Sequence, residues 1–449
     1  MKEDRNTCVL YATATCNLAC KYCYIDKSPI LKDIDKKLEE SFEGNYYFDF
    51  MKQMFYQNQL KRIEIWGGEP TYGLKRTLFT ILKAMEYFSN LQEFFVSTNL
   101  TTPTCIEDIF NFYTIISEKF PNKELNFEIQ LSIDGPTEIN DFNRGKGTTD
   151  KFTKNFCHFI TEGKKFLLSH KNVKLKAHFK PTLDGINILN LNSEEKINNY
   201  FKFLEQYKLL FDNYVGFVDN FQFFPGIPNT ATPSPHTQEE GKAFAKFCKI
   251  IRELYEKDPK HFIFYDNVMP FYRPCEYKDF NFLGGYSGCG SGKMVLGLLP
   301  NDLVSGCHNG FVDLIHNVKL NATKPSVLET RFFNTQDYEN IPLVFPKDKY
   351  EIYEQQMSIY YNDEKKFPIS EMASLIKTFA EVGQIDSKYK DYKNAIEAAH
   401  FIQERTCSCV RDNMNITGSK YLTAAGYIKL FLNGAKEEME AYDDIFRRK

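Results

Sequence analysis

Three cysteines within eight residues, Cys16-x-x-x-Cys20-x-x-Cys23, carry the sharpest chemistry in the chain. Thiolates this close in sequence can converge on one metal centre. A structural zinc ion takes four ligands, usually as two Cys-x-x-Cys pairs. Here the next cysteine is Cys105 and no histidine precedes His158. A four-iron cluster held by only three thiolates keeps one iron open for a substrate or cofactor. The alternative is a zinc site completed by a distant residue. Of the other nine cysteines, Cys275, Cys289, Cys307, Cys407 and Cys409 form a second set in the C-terminal half, and Cys8, Cys105, Cys157 and Cys248 stand alone. The isolated four read as small buried hydrophobes.

The elements that must position the triplet alternate along the first half. Short runs rich in Val, Ile, Phe and Leu predict strands at Cys8–Ala14, Arg62–Trp66, Phe94–Thr98, Phe127–Ile133, Val173–Phe179 and Phe217–Phe224. Between them lie stretches with helical apolar spacing, such as Ile197, Tyr200, Phe201, Phe203, Leu204 and Tyr207. Strands alternating with helices predict a parallel α/β sheet, in which chemistry gathers at the C-terminal strand ends. The distinctive polar motifs fall there: the triplet after the first strand, Gly67-Gly68-Glu69-Pro70 after the second, Asn99 after the third, Ser132-Ile133-Asp134-Gly135-Pro136 at the fourth and Lys180-Pro181-Thr182 after the fifth. Pro225–Thr237 reads as a loop, Glu239–Tyr255 as a helix, 271–311 as turn-rich and 325–449 as mostly helical and charged. The division expected is 1–237, a connecting helical segment 238–270, and 271–449.

Composition excludes several classes. Across 449 residues, 56 basic and 59 acidic side chains give a net charge of −3, which offers nothing for a nucleic-acid partner. The charged start has no signal-peptide pattern. No apolar run approaches the ~18 residues of a membrane span. A cytoplasmic protein is expected. Disulfides account poorly for twelve cysteines there, and metal or redox chemistry accounts better. Gly288–Lys293 is not a phosphate loop, because Ser287 and Met294 break the required spacing.

The run Cys16-Asn17-Leu18-Ala19-Cys20-Lys21-Tyr22-Cys23-Tyr24 resembles the signature of the radical S-adenosylmethionine superfamily. The resemblance implies a partial (β/α)6 TIM-like barrel, a site-differentiated [4Fe–4S] cluster on Cys16, Cys20 and Cys23, and S-adenosyl-L-methionine on the open iron. Reductive cleavage of that cofactor would give a 5′-deoxyadenosyl radical that takes hydrogen from the substrate. Gly67-Gly68-Glu69-Pro70 matches the family's GGEP motif. Its glycines permit close backbone approach to a ligand, and Glu69 can accept from a ligand ammonium. Tyr22 and Tyr24 are expected against the adenine. Asn99 and Ser132 are placed for ribose or carboxylate contacts, with a strand-end cap as the plain alternative for each. Arg144 would meet the cofactor carboxylate, or else be solvated.

Leu131-Ser132-Ile133-Asp134-Gly135-Pro136 followed by Asn140-Asp141-Phe142-Asn143-Arg144 is similar to the peptide- and protein-modifying branch that carries SPASM or twitch auxiliary-cluster domains, with Asn140 where histidine is usual. Cys289-Gly290-Ser291-Gly292 through Pro300-Asn301-Asp302 to Cys307 resembles that domain. The run itself predicts a hairpin, with Met294–Leu299 and Leu303–Val304 as strands around the 300–302 turn. Cys275, Cys289 and Cys307 with Cys407 or Cys409 would hold one auxiliary [4Fe–4S] cluster, and a helical tail would follow. The dense later cysteine group of a full SPASM domain is missing, which argues against two. His308, where sulfatase-maturating relatives commonly carry an aspartate base, could transfer protons, although the change counts against sulfatase maturation itself.

The function implied is radical modification of a ribosomally made peptide or protein: a thioether or C–C crosslink, epimerisation or similar. Action on a small molecule is the first alternative, and a non-catalytic zinc-binding protein the second. Expected partners are the peptide or protein substrate and a reducing donor such as flavodoxin or ferredoxin. Because only 15 residues precede Cys16, the expectation is either a separate leader-binding protein or direct reading of the peptide. Neither membrane nor nucleic acid is expected.

Overall fold

A computed structural model describes residues 6–23, 25, 29–183, 185–216, 218–226 and 229–230, and beyond these only 246–247, 250, 257, 280–281, 285–286, 295–300, 303–305, 344–346, 374, 377, 381 and 387–395. The first half alternates strands and helices. β1 (Thr7–Thr13) leads through α1 (Ile30–Phe42) and α2 (Tyr46–Met54) to β2 (Arg62–Gly67), and α3 (Leu74–Tyr87) leads to β3 (Glu93–Thr98). α4 (Cys105–Lys119) connects to β4 (Leu125–Leu131), and α5 (Thr137–Arg144) with α6 (Thr148–Ser169) connects to β5 (Val173–Phe179). The short β6 (Thr182–Leu183), α7 (Gly185–Asn190) and α8 (Glu194–Val215) precede β7 (Phe221–Phe224). β6 pairs with β8 (Asn229–Thr230), and β9 (Phe280–Asn281) pairs with β10 (Gly285–Tyr286). β11 (Val295–Leu299), β12 (Leu303–Ser305) and β13 (Val344–Pro346) complete the strands.

The main sheet runs β13-β12-β11-β1-β2-β3-β4-β5-β7. From β11 to β7 every neighbouring pair is parallel, and β1, β2, β3, β4, β5 and β7 stand side by side in chain order. Sequential order with helical crossovers is the wiring of a (β/α) barrel. A doubly wound sheet reverses its order midway. The predicted hairpin is present as β11 and β12, antiparallel with Leu299 opposite Leu303. Its first strand extends the six-strand sheet by lying parallel to β1, with Leu298 beside Leu10, a pairing the hairpin pattern itself did not disclose.

Strand periodicity decides which face takes the helices. In β4 burial alternates strictly: Leu125, Phe127, Ile129 and Leu131 are buried, and Asn126, Glu128 and Gln130 are half-buried. The apolar sets of β2 to β7 form one core with the inner faces of α2, α3, α4, α6 and α8. Ring contacts run through it, such as Tyr113 on Phe127 at 4.0 Å and Phe179 against Phe223 at 4.8 Å. A buried Phe contributes roughly 1.5–3 kcal/mol, so the many aromatic residues supply much of the scaffold's stability. The helical spacing around Tyr200 is realised in α8, where Ile197, Tyr200, Phe201, Leu204 and Tyr207 are buried. Ser193 starts α8 by accepting from Lys196 N–H, and Gly216 ends it at φ +62°.

Most strand boundaries fall within one residue of the sequence expectation, and the larger differences are at β4, which begins and ends two residues earlier, and at the start of β7. β4 stops at Leu131 because Asp134 N–H turns to the Asn140 side chain at 3.0 Å. β7 begins at Phe221 because Phe221 N–H closes a turn onto the Val218 carbonyl at 3.1 Å. No helix among the described residues is long and apolar enough to cross a membrane.

Candidate active site

The thiol loop leaves β1 at the C-terminal edge of the sheet. Cys16 and Cys20 are half-buried and Cys23 is exposed. The loop is shaped by its own backbone, with Cys23 N–H on the Cys20 carbonyl at 3.0 Å, and anchored by Lys21 N–H on the Asn143 carbonyl at 2.9 Å. Its stem is fixed by Asp35, which accepts from the Thr13 hydroxyl at 2.6 Å and from Ala14 N–H at 2.8 Å. Burial pushes the Cys20 thiol above its usual range, and Asp134 and Cys23 act in the same sense against Arg144.

Gly67 and Gly68 are required by the protein's own chain. A Cβ at Gly67 would stand 2.3 Å from the Thr13 carbonyl oxygen, and one at Gly68 would stand 2.5 Å from that of Thr15. Gly67 also holds φ at +154°. The close approach lets Gly68 N–H reach Thr13 O at 2.9 Å and Glu69 N–H reach Thr15 O at 2.8 Å. The glycine motif is thus welded to the base of the thiol loop. Both glycines thus bring their backbone against the chain that leaves β1.

Glu69 is 1% exposed. Its Oε1 accepts from the Thr71 hydroxyl at 2.8 Å and its Oε2 from Asn99 N–H at 2.7 Å. Burial raises its pKa against these hydrogen bonds. The carboxylate ties the β2 turn to the end of β3, and Oε1 also accepts from Thr71 N–H at 3.3 Å. Pro70 opens the short 3-10 turn that follows. Asn99 both caps and reaches outward. Its Oδ1 accepts from Thr101 N–H and the Thr101 hydroxyl, and its Nδ2 donates to Asn17 Oδ1 at 2.8 Å and approaches Cys16 Sγ at 3.8 Å. A continuous chain therefore runs from Glu69 through Asn99 and Asn17 to the first cysteine.

The fourth strand end is organised by Asp134, which is fully buried. Its carboxylate accepts from Tyr22 OH at 2.7 Å, Arg144 at 2.8 Å, Thr182 N–H at 3.0 Å and Asn143 at 3.2 Å. Arg144 is 8% exposed, so it is not a solvated arginine. Burial works against its charge, but Asp134 outweighs this and raises its pKa. Tyr22 presents its ring to the Arg144 guanidinium at 5.6 Å. Asn140, standing where a histidine was expected, both accepts from Asp134 N–H and donates to the Thr148 and Thr149 hydroxyls. Ser132 is half-buried and held by its N–H to the Thr98 carbonyl.

The structure thus brings Cys16, Cys20, Cys23, Tyr22, Gly67, Gly68, Glu69, Pro70, Asn99, Ser132 and Arg144 to one sheet edge. Tyr24, Cys275, Cys289, Cys307, His308, Cys407 and Cys409 lie outside the described residues. Cys8 and Cys105 are buried as expected, Cys157 is only half-buried, and Cys248 lies outside the described residues. Sequence reading missed Asp134 as the hub, although its place between Ser132 and Gly135 in a strand-end motif was the available signal. It also missed Asp35 and Thr71, whose roles no local pattern announces. A cavity of about 400 Å³ between α5, α7 and α8, floored by Ile139, Leu191 and Tyr200, lies outside this set of residues.

Among the described residues no three Cys, His, Asp or Glu side chains are gathered around one point. Cys16, Cys20 and Cys23 lie on one loop, and a four-iron cluster would give each of these thiolates its own iron.

A parallel, sequentially wired α/β sheet with a three-thiol loop at its C-terminal edge is the class defined here. No family model matches the chain. It is similar to the cysteine-type anaerobic sulfatase-maturating enzymes of two strains of Clostridium perfringens, with 21% identity over 263 residues and 22% over 264. Each match covers 55% of this chain and 59% of the relative, so the chain spans about three-fifths of their length. The solved structure "Native anSMEcpe with bound AdoMet" aligns with 67% of this chain and 74% of its own, at 18% identity and a TM-score of 0.36.

Proposed function

We propose that the chain is a radical S-adenosylmethionine enzyme that modifies a side chain of a protein. The observation that carries this reading is the joining of the thiol loop to the glycine motif: Gly67 and Gly68 lie against the backbone of Thr13–Thr15, and Glu69, Asn99 and Asn17 link to Cys16. A zinc knuckle would not need its loop tied across two neighbouring strands. In this reading Cys16, Cys20 and Cys23 hold a [4Fe–4S] cluster, and the Gly67–Pro70 turn, Tyr22, Tyr24, Asn99, Ser132 and Arg144 surround S-adenosyl-L-methionine. Together the bound groups supply one-electron chemistry able to take a hydrogen atom from an unactivated carbon.

The chain's own residues orient and shield. Asp134 keeps Arg144 charged and turned to the thiol loop through Tyr22. Arg144 offers positive charge for a carboxylate, and Glu69 offers acceptors for an ammonium. Cys275, Cys289 and Cys307 with Cys407 or Cys409 would hold an auxiliary cluster in the 271–449 region, with His308 moving a proton. The presence of the β11–β12 hairpin between Cys289 and Cys307 supports that assignment. The relatives' names make a sulfatase-like protein the first substrate to test.

Anaerobically purified protein should contain iron and acid-labile sulfide and release 5′-deoxyadenosine under a strong reductant. Changing Cys16, Cys20 and Cys23 together to Ala should remove about four irons and all cofactor cleavage. Zinc at unit stoichiometry without sulfide, or cleavage surviving in the triple variant, overturns the reading.

A further inference from the structure

The sheet face turned away from the helices carries a polar row that the site above leaves unused. Along one register, Ser97 pairs with Gln130, Gln130 with His178 and His178 with Phe224. The row lies two residues, roughly 7 Å, below Asn99 and Ser132 on the same face. Beneath it Arg62 bonds Glu64 at 2.9 Å and Glu128 at 2.7 Å. His178 Nδ1 stands 3.3 Å from Glu128 Oε1.

This pair differs from an ordinary structural ion network. Arg62 is already neutralised by two carboxylates and does not need the imidazole. Burial brings the His178 pKa down to about 4, with Lys180, Lys176 and Arg62 acting in the same sense and Glu128 opposing. The ring is therefore neutral near pH 7. Nδ1 is buried and lies 3.3 Å from Glu128 Oε1 without making a hydrogen bond, yet the side chain as a whole is 20% exposed, so the ring's exposure lies towards the far edge that bears Nε2. The negative charge beside Nδ1 favours the proton on that nitrogen and leaves Nε2 as the acceptor.

We propose that His178, backed by Glu128, is the substrate-facing hydrogen-bond acceptor of this site, receiving at Nε2 the S–H or O–H of a protein side chain held below the strand edge. The inference rests on the radical reading above for the location of the cofactor. A ring of such low basicity positions the donor group and does not remove its proton. It also selects for a side chain that has a proton to donate, because a substrate group that covers Nε2 without donating leaves that acceptor desolvated and unpaired.

The test uses the reconstituted, full-length holoenzyme and sulfatase-derived peptides carrying Cys, Ser or Ala at the target position. The wild type should modify the Cys or Ser peptide. His178→Ala should lower kcat/KM on the order of 10–100-fold while 5′-deoxyadenosine formation stays within about 3-fold. His178→Gln, which keeps an acceptor oxygen, should recover part of the loss. Diethyl pyrocarbonate should label His178 in the free holoenzyme, and the Cys or Ser peptide should protect it while the Ala peptide protects it less. Full turnover by His178→Ala, or absence of labelling or of protection, overturns the inference. So does a wild type that cleaves its cofactor but modifies neither peptide. A wild type that makes no 5′-deoxyadenosine instead fails the radical reading itself.

Discussion

Asp134→Ala tests whether the fourth strand end is held by one buried charge pair. The carboxylate is fully buried, and its partner Arg144 is 8% exposed at 2.8 Å. Removing one member of a buried pair strands the other and typically costs about 3–5 kcal/mol. The hydrogen bonds from Tyr22, Asn143 and Thr182 are lost together with it and do not add independently. The chain has a single tryptophan, Trp66, which sits at the end of β2 with Nε1 on Glu64 at 3.1 Å. Its fluorescence therefore reports unfolding of this sheet and no other part. With a urea slope of about 3 kcal/mol/M, the midpoint should fall by roughly 1–1.7 M. Arg144→Met in the same chain removes the stranded charge and should return about 2 kcal/mol or more. A loss under about 1 kcal/mol in Asp134→Ala, or a double variant no more stable than the single, would refute the reasoning.

Gly68→Ala drives a Cβ to 2.5 Å from the Thr15 carbonyl and should lower the same midpoint by the equivalent of about 1–3 kcal/mol; in anaerobic preparations it should lower iron content as well. Acid sensitivity has two parts. The unfolded chain protonates histidine first, near pH 6.5, while folded His178 waits until about 4, so stability should fall as pH drops through that window, and His178→Gln should flatten the fall in acid-unfolding curves. Burial raises the Asp141 pKa but the Thr149, Gly147 and Thr148 hydrogen bonds outweigh it, so its contribution holds above about pH 3.9 and vanishes as pH falls through the lower folded value, which Asp141→Asn should abolish. Asn99→Ala removes the donor approaching Cys16 Sγ and should shift the cluster's reduction potential down by about 40 mV for a bond of ~1 kcal/mol. A potentiometric titration showing no shift, with Thr101→Ala as the turn control, would discount that contact.

The order of strands and the edge that bears the motifs were legible because they depend on local period. β2, β4 and β5 alternate apolar and polar residues, β1 and β3 are short apolar runs, and a polar motif follows where each of these strands must stop. What was not legible depends on who meets whom. Nothing near Gly68 says that its missing Cβ clears Thr15 and not a ligand, since both explanations ask for glycine. Nothing in Arg144 distinguishes a solvated side chain from one locked onto Asp134, ten residues earlier and on the far side of a turn. The alternation in β4 and β5 placed Glu128 and His178 on one face, but the pairing of the two needed the strand register.

These long-range contacts also explain why the thiol loop can be irregular and still be placed with accuracy. A loop without secondary structure pays its ordering entropy without a ladder of hydrogen bonds to offset it. Here the offset comes from three sides: Asp35 at the stem, the Gly67–Glu69 backbone beneath, and Asn143 with Asp134 at the far end, through Lys21 and Tyr22. Each belongs to a different element, so no single strand movement can carry the loop away while the others hold. Cys16 lies nearest the Asn17–Asn99 tie and Cys20 nearest the buried Asp134–Arg144 pair, whereas Cys23 is exposed. The first two thiols are thus set into the scaffold and the third lies at its surface. Such an arrangement suits a centre that is assembled onto an already folded edge.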